Sequence, residues 1–160
     1  MQLTAFSDYS LRLMMMATAH SDRLVTIEET ARAFDISRAH LMKVAQHLVR
    51  QGFLKAVRGR TGALTLARPP EAIGLGEIVR STERDFTLVE CFGPDNRCRI
   101  TPRCRLRGVL ADALDAFLSV LDRHTMHVLV RNPQDFDMRA VEQNLPIENL
   151  QLAEANIAPA

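Results

Sequence analysis

Residues 26–66 constrain the fold of this chain more than any other stretch. The segment TIEETARAF reads as a short helix opened by a capping box, with Thr26 reaching forward and Glu29 reaching back to satisfy the first free amides. The chain turns at Phe34-Asp35-Ile36 and re-enters a helix at SRAHLMKVAQHLVRQG. There Ser37 is the cap, Ile36 and Leu41 hold the two hydrophobic-staple positions, and Gly52 is the stop. Leu41, Val44, Ala45 and Leu48 recur on one face as a core stripe, and His40, Lys43, His47 and Arg50 are expected on the opposite face. Two short strand-like runs, FLKAV and ALTLA, then flank RGRTG and predict a hairpin with Arg58 and Arg60 at its tip. Two helices joined by a short turn and followed by a basic hairpin make a winged helix-turn-helix.

Charge supports that reading once it is resolved along the chain. The net charge is only +1, yet residues 36–60 carry six Lys/Arg and two His with no Asp or Glu. Such a local basic surface on a nearly neutral chain is the electrostatic footprint of a nucleic-acid contact. The expected DNA contacts are Ser37, Arg38, Ala39, His40 and Lys43 from the second helix, and Arg58 and Arg60 from the wing.

An apolar helix is expected ahead of this unit, from about Ser7 to His20, with Ser7 as its cap and Asp8 in its first turn. Behind the unit, GLGEIVRST reads as a further short helix. A long amphipathic helix starts near Cys104. Its Leu106, Leu110, Ala113, Phe117 and Val120 recur at alternating four- and three-residue spacings, and Leu114, Leu118 and Leu121 widen the stripe. An apolar face this broad on one helix calls for a partner, and a second copy of the chain is the economical one. The fold class expected is therefore mainly α: a winged helix-turn-helix with a small β-hairpin wing, plus a long dimerisation helix. The divisions expected are residues 1–72 for the DNA-binding unit, 73–104 for a short helix and cysteine-rich loop, 105–131 for the dimerisation helix and 132–160 for an irregular tail.

All three cysteines, Cys91, Cys98 and Cys104, fall within CFGPDNRCRITPRC. The start of the chain lacks a signal-peptide pattern and no run of 18 apolar residues occurs, so a cytoplasmic protein with reduced thiols and no membrane contact is expected. Zinc knuckles usually bring cysteines in as C-x2-4-C pairs, whereas C-x6-C-x5-C suits a loop wrapped around a larger object, such as an iron–sulfur cluster. Arg97, Arg99, Arg103, Arg105 and Arg107 surround the thiols, and Asp95 is the one acid between them. Thr101 and Pro102 read as a helix start that puts Cys104 in the first turn, where a thiolate is favoured. Three thiolates suit three corners of a [4Fe–4S] cube and leave one iron distinct; a [2Fe–2S] form stays open. Zinc binding or a thiol switch is the alternative for these residues, and a redox enzyme is a third reading. No Gly-rich nucleotide loop and no His/Asp/Ser constellation supports an enzyme.

The opening MQLTAFSDYSLR, the tract ISRAHLMKVAQHLVRQGFLKAVRGRTG, the cysteine segment ending CRITPRCRLR and the long helix after it together resemble the Rrf-two family of winged-helix regulators, over about residues 1–131. Within that family the likeness is greatest to its nitric-oxide-sensitive iron–sulfur repressors. The resemblance implies a homodimer crossed through the long helices, bound to operator DNA and carrying one cluster per subunit. It implies Cys91, Cys98 and Cys104 as ligands, with Asp8 of the partner subunit as the fourth. It also implies nitric oxide as the signal and nitric oxide detoxification genes as the targets. Cluster status, iron or oxidants are the alternative signals. Family members that regulate cluster assembly carry a histidine three residues after the third cysteine. Here Arg107 stands there and cannot ligate, which argues against that role.

Overall fold

The computed structural model describes residues 2–57 and 62–136. Helix α1 (Ala5–Ala19) begins three residues earlier than its sequence suggested, because Thr4 is the cap and its hydroxyl accepts from the Ser7 amide at 3.3 Å. Ser7 is instead fully buried. Its hydroxyl lies 2.7 Å from that of Thr82 and donates to the Glu83 carboxylate at 2.5 Å. The start of α1 is thereby joined to the end of α4 (Leu75–Thr82).

Strand β1 (Val25–Thr26) leads directly into α2 (Ile27–Phe34). Thr26 caps α2 as expected, accepting from the Glu29 amide at 3.1 Å. The reciprocal half of the capping box is absent: the Glu29 carboxylate turns to Arg23, which holds it below the ordinary carboxylate range against the opposing effect of partial burial. A guanidinium within reach outcompetes a backbone amide for a carboxylate, since a charged donor makes the stronger bond. Asp35, at φ 50°, takes the left-handed turn conformation that ends α2. Ser37 then caps α3 (Arg38–Arg50), accepting from the His40 amide at 3.3 Å. Gly52, at φ 76°, reverses the chain after α3 at little steric cost.

Strands β2 (Leu54–Val57) and β3 (Ala63–Leu66) form the expected antiparallel hairpin. The sheet has a third strand that the sequence did not announce, with β1 pairing β3 through Val25–Leu64 and Thr26–Ala63, in the order β1-β3-β2. The tip of the hairpin, with Arg58 and Arg60, lies outside the described residues.

Leu13, Met14, Leu41, Val44, Leu48 and Leu54 form the centre of the core and are joined by Ile73, Ile78 and Met126. Each fully buried aliphatic side chain here contributes roughly 1.5–3 kcal/mol of transfer free energy. The packing thus runs across residue 72: α4 and the short α6 (Met126–Leu129) share one core with the helix-turn-helix. Met126 is drawn in by two backbone bonds, Leu75 N to His124 O and Met126 N to Ile73 O, each 2.9 Å.

Between them lies α5 (Arg105–Asp122), which ends nine residues short of the 131 expected of one continuous helix. No residue of α5 is buried; Leu106 and Val109 are 61% and 62% exposed, and Val120 44%. The expected tail starts with a 3-10 turn at Pro133–Phe136, where the Phe136 carbonyl lies 3.3 Å from His20 Nε2. The remainder, 137–160, lies outside the described residues.

Candidate functional site

The loop between α4 and α5 carries all three thiols, each free of disulfide bonding, with Cys98 exposed and Cys91 and Cys104 half-buried. Short-range hydrogen bonds give it shape. Cys91 sits in a 3-10 turn, Glu90–Phe92, and the Glu90 carboxylate accepts from the Arg97 amide at 2.9 Å. The Cys98 amide donates to Asn96 Oδ1 at 3.0 Å, and the Cys98 carbonyl accepts from the Thr101 hydroxyl at 2.8 Å.

That last bond explains a departure from expectation. Thr101 does not cap the long helix, because its hydroxyl points back to Cys98 and the chain closes a separate 3-10 turn at Thr101–Arg103. Cys104, in extended conformation, is the N-cap of α5 and makes no side-chain capping bond there. Cys104 therefore stands at the N-terminus of an 18-residue helix.

Arg107, in the first turn of α5, donates from Nε to the Cys91 carbonyl at 3.3 Å, and its guanidinium lies 5.8 Å from the Phe92 ring centre. One arginine thus ties the first cysteine to the helix that the third cysteine opens. Arg97, Arg99, Arg103 and Arg105 are exposed and form no ion pair among the described residues. Among the described residues no three Cys, His, Asp or Glu side chains converge as a ready-made metal-holding group. The donor set nevertheless fits an anionic, thiolate-held cluster: three uncommitted thiols in one segment, one at a helix N-terminus, with four exposed arginines in the same stretch of chain.

Asp8 does not lie among the cysteines of its own chain. It projects from the first turn of α1 and pairs with Arg12 one turn on, through Nε–Oδ1 and Nη2–Oδ2 contacts of 3.0 Å each. Both side chains remain close to half exposed.

On α3, Ser37, Arg38, Ala39, His40 and Lys43 are all exposed, as a DNA-reading surface requires. Arg38 reaches towards Glu28 at 3.9 Å, and the His40 ring lies 6.0 Å from that of Tyr9. His47 departs from its expected outward position. Its ring packs edge-on against Phe6 of α1, 5.3 Å between centres, with Nδ1 3.1 Å from Arg50 Nη2. Its Nε2 is buried with no well-formed hydrogen bond among the described residues. Burial, and then the neighbouring Arg50 charge, hold its pKa below the ordinary histidine value, against a smaller opposing effect of the Ser81 backbone. Two exposed residues of α3, Met42 and Gln46, were missed by the sequence reading although the helical spacing from Ala39 leads straight to them.

Among the described residues no helix is long and apolar enough to cross a membrane. Residues 3–132 match the Rrf2 family, described as an iron-dependent transcriptional regulator. The HTH-type transcriptional regulator NsrR of Bacillus licheniformis is 46% identical over 134 residues, covering 82% of this chain and 94% of that one. NsrR of Bacillus subtilis is 45% identical over 137 residues, covering 84% and 94%. The crystal structure of oxidised Staphylococcus aureus CymR superposes with a TM-score of 0.68 over 82% of this chain and 98% of that one. At 23% identity that likeness speaks for the fold alone. The chain belongs to the Rrf2 family of transcriptional regulators, DNA-binding proteins rather than enzymes.

Proposed function

We propose that this chain is the subunit of a homodimeric, cytoplasmic repressor that holds one iron–sulfur cluster per subunit, [4Fe–4S] favoured, and releases operator DNA in response to nitric oxide. Its targets are then nitric oxide detoxification genes. When bound, the cluster supplies iron that reacts with nitric oxide. Cys91, Cys98 and Cys104 would hold it, with Asp8 of the partner subunit as the fourth ligand. A carboxylate is a harder and weaker partner for iron than a thiolate, which makes its position the replaceable one.

The observation that carries this reading is the placement of Cys104 as N-cap of the exposed α5, with Cys91 tied to the first turn of that helix by Arg107. The exposed arginines of the loop balance the charge that three thiolates bring to a cluster. The apolar stripe of α5, bare in the single chain, supports pairing of two copies along it. Ser37, Arg38, Ala39, His40 and Lys43 then meet the major groove, and Arg58 and Arg60 the phosphates or minor groove.

The test is an anaerobic preparation followed by absorption spectroscopy while nitric oxide is titrated and DNA binding is read in parallel. A brown protein whose spectrum and operator affinity change together is expected, and Cys91→Ala, Cys98→Ala or Cys104→Ala should each give a folded, colourless protein without specific binding. A colourless wild-type protein holding stoichiometric zinc would replace the cluster by a zinc or thiol switch.

A further inference from the structure

Four residues of α3 leave the helix on one exposed stripe. Ala39, Met42, Lys43 and Gln46 follow the i, i+3, i+4, i+7 spacing of a single helix face, and all four are exposed. The buried Leu41, Val44, Ala45 and Leu48 take the other side. Both histidines leave the stripe, His40 towards Tyr9 and His47 towards Phe6. What remains beside Lys43 is therefore one amide and one thioether.

Met42 and Gln46 also share a location. Both line a shallow apolar cleft of about 180 Å³ between α3 and the sheet, with Ala56 and Leu64 on its other side. Both therefore flank the wing side of the stripe. Met42 is 40% exposed, which leaves its side chain accessible to a ligand. The Gln46 amide has no hydrogen-bond partner among the described residues, so its two donors and one acceptor are uncommitted.

The chemistry of these two side chains narrows what they can read. A glutamine amide matches the N7 acceptor and N6 donor that adenine presents in the major groove, and an apolar group matches the C5 methyl of thymine. Lys43 between them supplies a point charge, which contributes affinity for phosphate or guanine but no A·T preference. We infer that Gln46 is a specificity-determining residue that reads an adenine edge in each operator half-site, with Met42 against a neighbouring thymine methyl. The inference rests on α3 being the recognition helix and goes further by assigning base identity to two of its residues.

Selection of binding sites from a randomised DNA duplex library tests it, with anaerobically prepared, brown wild type, Gln46→Ala and Gln46→Glu compared. Wild type should select an adenine at one fixed position per half-site. Gln46→Ala should lose that preference by roughly 5- to 150-fold, the range of a bidentate base contact, with non-specific affinity and its salt dependence unchanged. Gln46→Glu should move the preference at that position to cytosine, whose N4 amino group donates to a carboxylate. This switch separates base reading from loss of folding. If Gln46→Ala and wild type selected the same site with the same ranking, Gln46 would read nothing, and the regulator reading would stand without it. If wild type selected no sequence at all, α3 would not be a recognition helix and both conclusions would fall.

Discussion

Arg80 of α4 and Asp122, the last residue of α5, form a two-pronged ion pair, with Nη2 2.7 Å from Oδ2, laid across Gly76. A Cβ on Gly76 would stand 1.9 Å from Asp122 Oδ1 and 2.6 Å from Arg80 Nη1. The glycine is thus what lets the pair lie flat on α4.

The pair has a pH signature. Its hydrogen bonds from Arg80 hold the Asp122 carboxyl below the ordinary range. A depressed carboxylate stabilises the fold fully above its unfolded value, about pH 4, and loses that contribution as the pH falls through the folded value. Arg80→Ala should return the Asp122 titration to the ordinary range with the fold intact, and Gly76→Ala should do the same by prising the pair apart. Carboxyl-carbon NMR titration reads both, and a titration unmoved in Arg80→Ala would mean that the pair does not persist in solution.

His47 also loses its contribution on acidification, but from a higher pH. Its folded pKa is lowered, so the neutral ring is preferred in the fold and its contribution is complete above about pH 6.5 and lost as acid protonates it. Stability measured by urea unfolding should begin to fall as the pH drops below about 6.5 and go on falling through the lower folded value. In His47→Leu part of that fall should vanish. An identical pH slope in the two proteins would show that the ring is not buried as described.

Met126 tests how far the core extends past the DNA-binding unit. It is fully buried, 122 residues after the Thr4 cap of α1, in contact with the same cluster as Leu13 and Ile73. Met126→Ala should cost about 2–5 kcal/mol in urea unfolding, as truncation of a buried large side chain does. A loss no greater than that of an exposed site such as Leu129→Ala would place α6 outside the cooperative core.

Asp8→Ala addresses the proposed bond between subunits. Three thiolates should still retain the cluster, with an altered spectrum, while operator affinity falls towards that of the clusterless protein and the dimer persists in sedimentation. Wild-type spectrum and affinity in that variant would leave Asp8 with Arg12 as its only partner.

The helix-turn-helix was legible because its signals are local. Thr26 and Ser37 cap the helices they precede, and the 3.6-residue period marks Leu41, Val44, Ala45 and Leu48. The failures share one cause, which is competition from residues distant in sequence. Strand β1 has only two residues and exists because Leu64 and Ala63 pair with it. Ser7 looked like a cap, but Thr82 and Glu83 claim its hydroxyl. His47 lies on the polar side of its helix by period, yet Phe6 of α1 draws it inward. At the cysteines, residue types and spacing were readable, but the start of the long helix at Cys104, not Thr101, depends on which acceptor the Thr101 hydroxyl chooses.

The anchoring of α5 is lopsided, and leverage follows from it. Its C-terminal end is clamped to the winged unit by Arg80–Asp122, by the His124 carbonyl on Leu75 and by Met126 in the core, whereas Leu106 and Val109 near its N-terminal end stand mostly exposed. Eighteen residues make a rod of about 27 Å at about 1.5 Å per residue. A tilt of about 10° at the clamp would carry Cys104 through about 5 Å, so a displacement at the thiol end returns to the winged unit as a small, geared-down rotation.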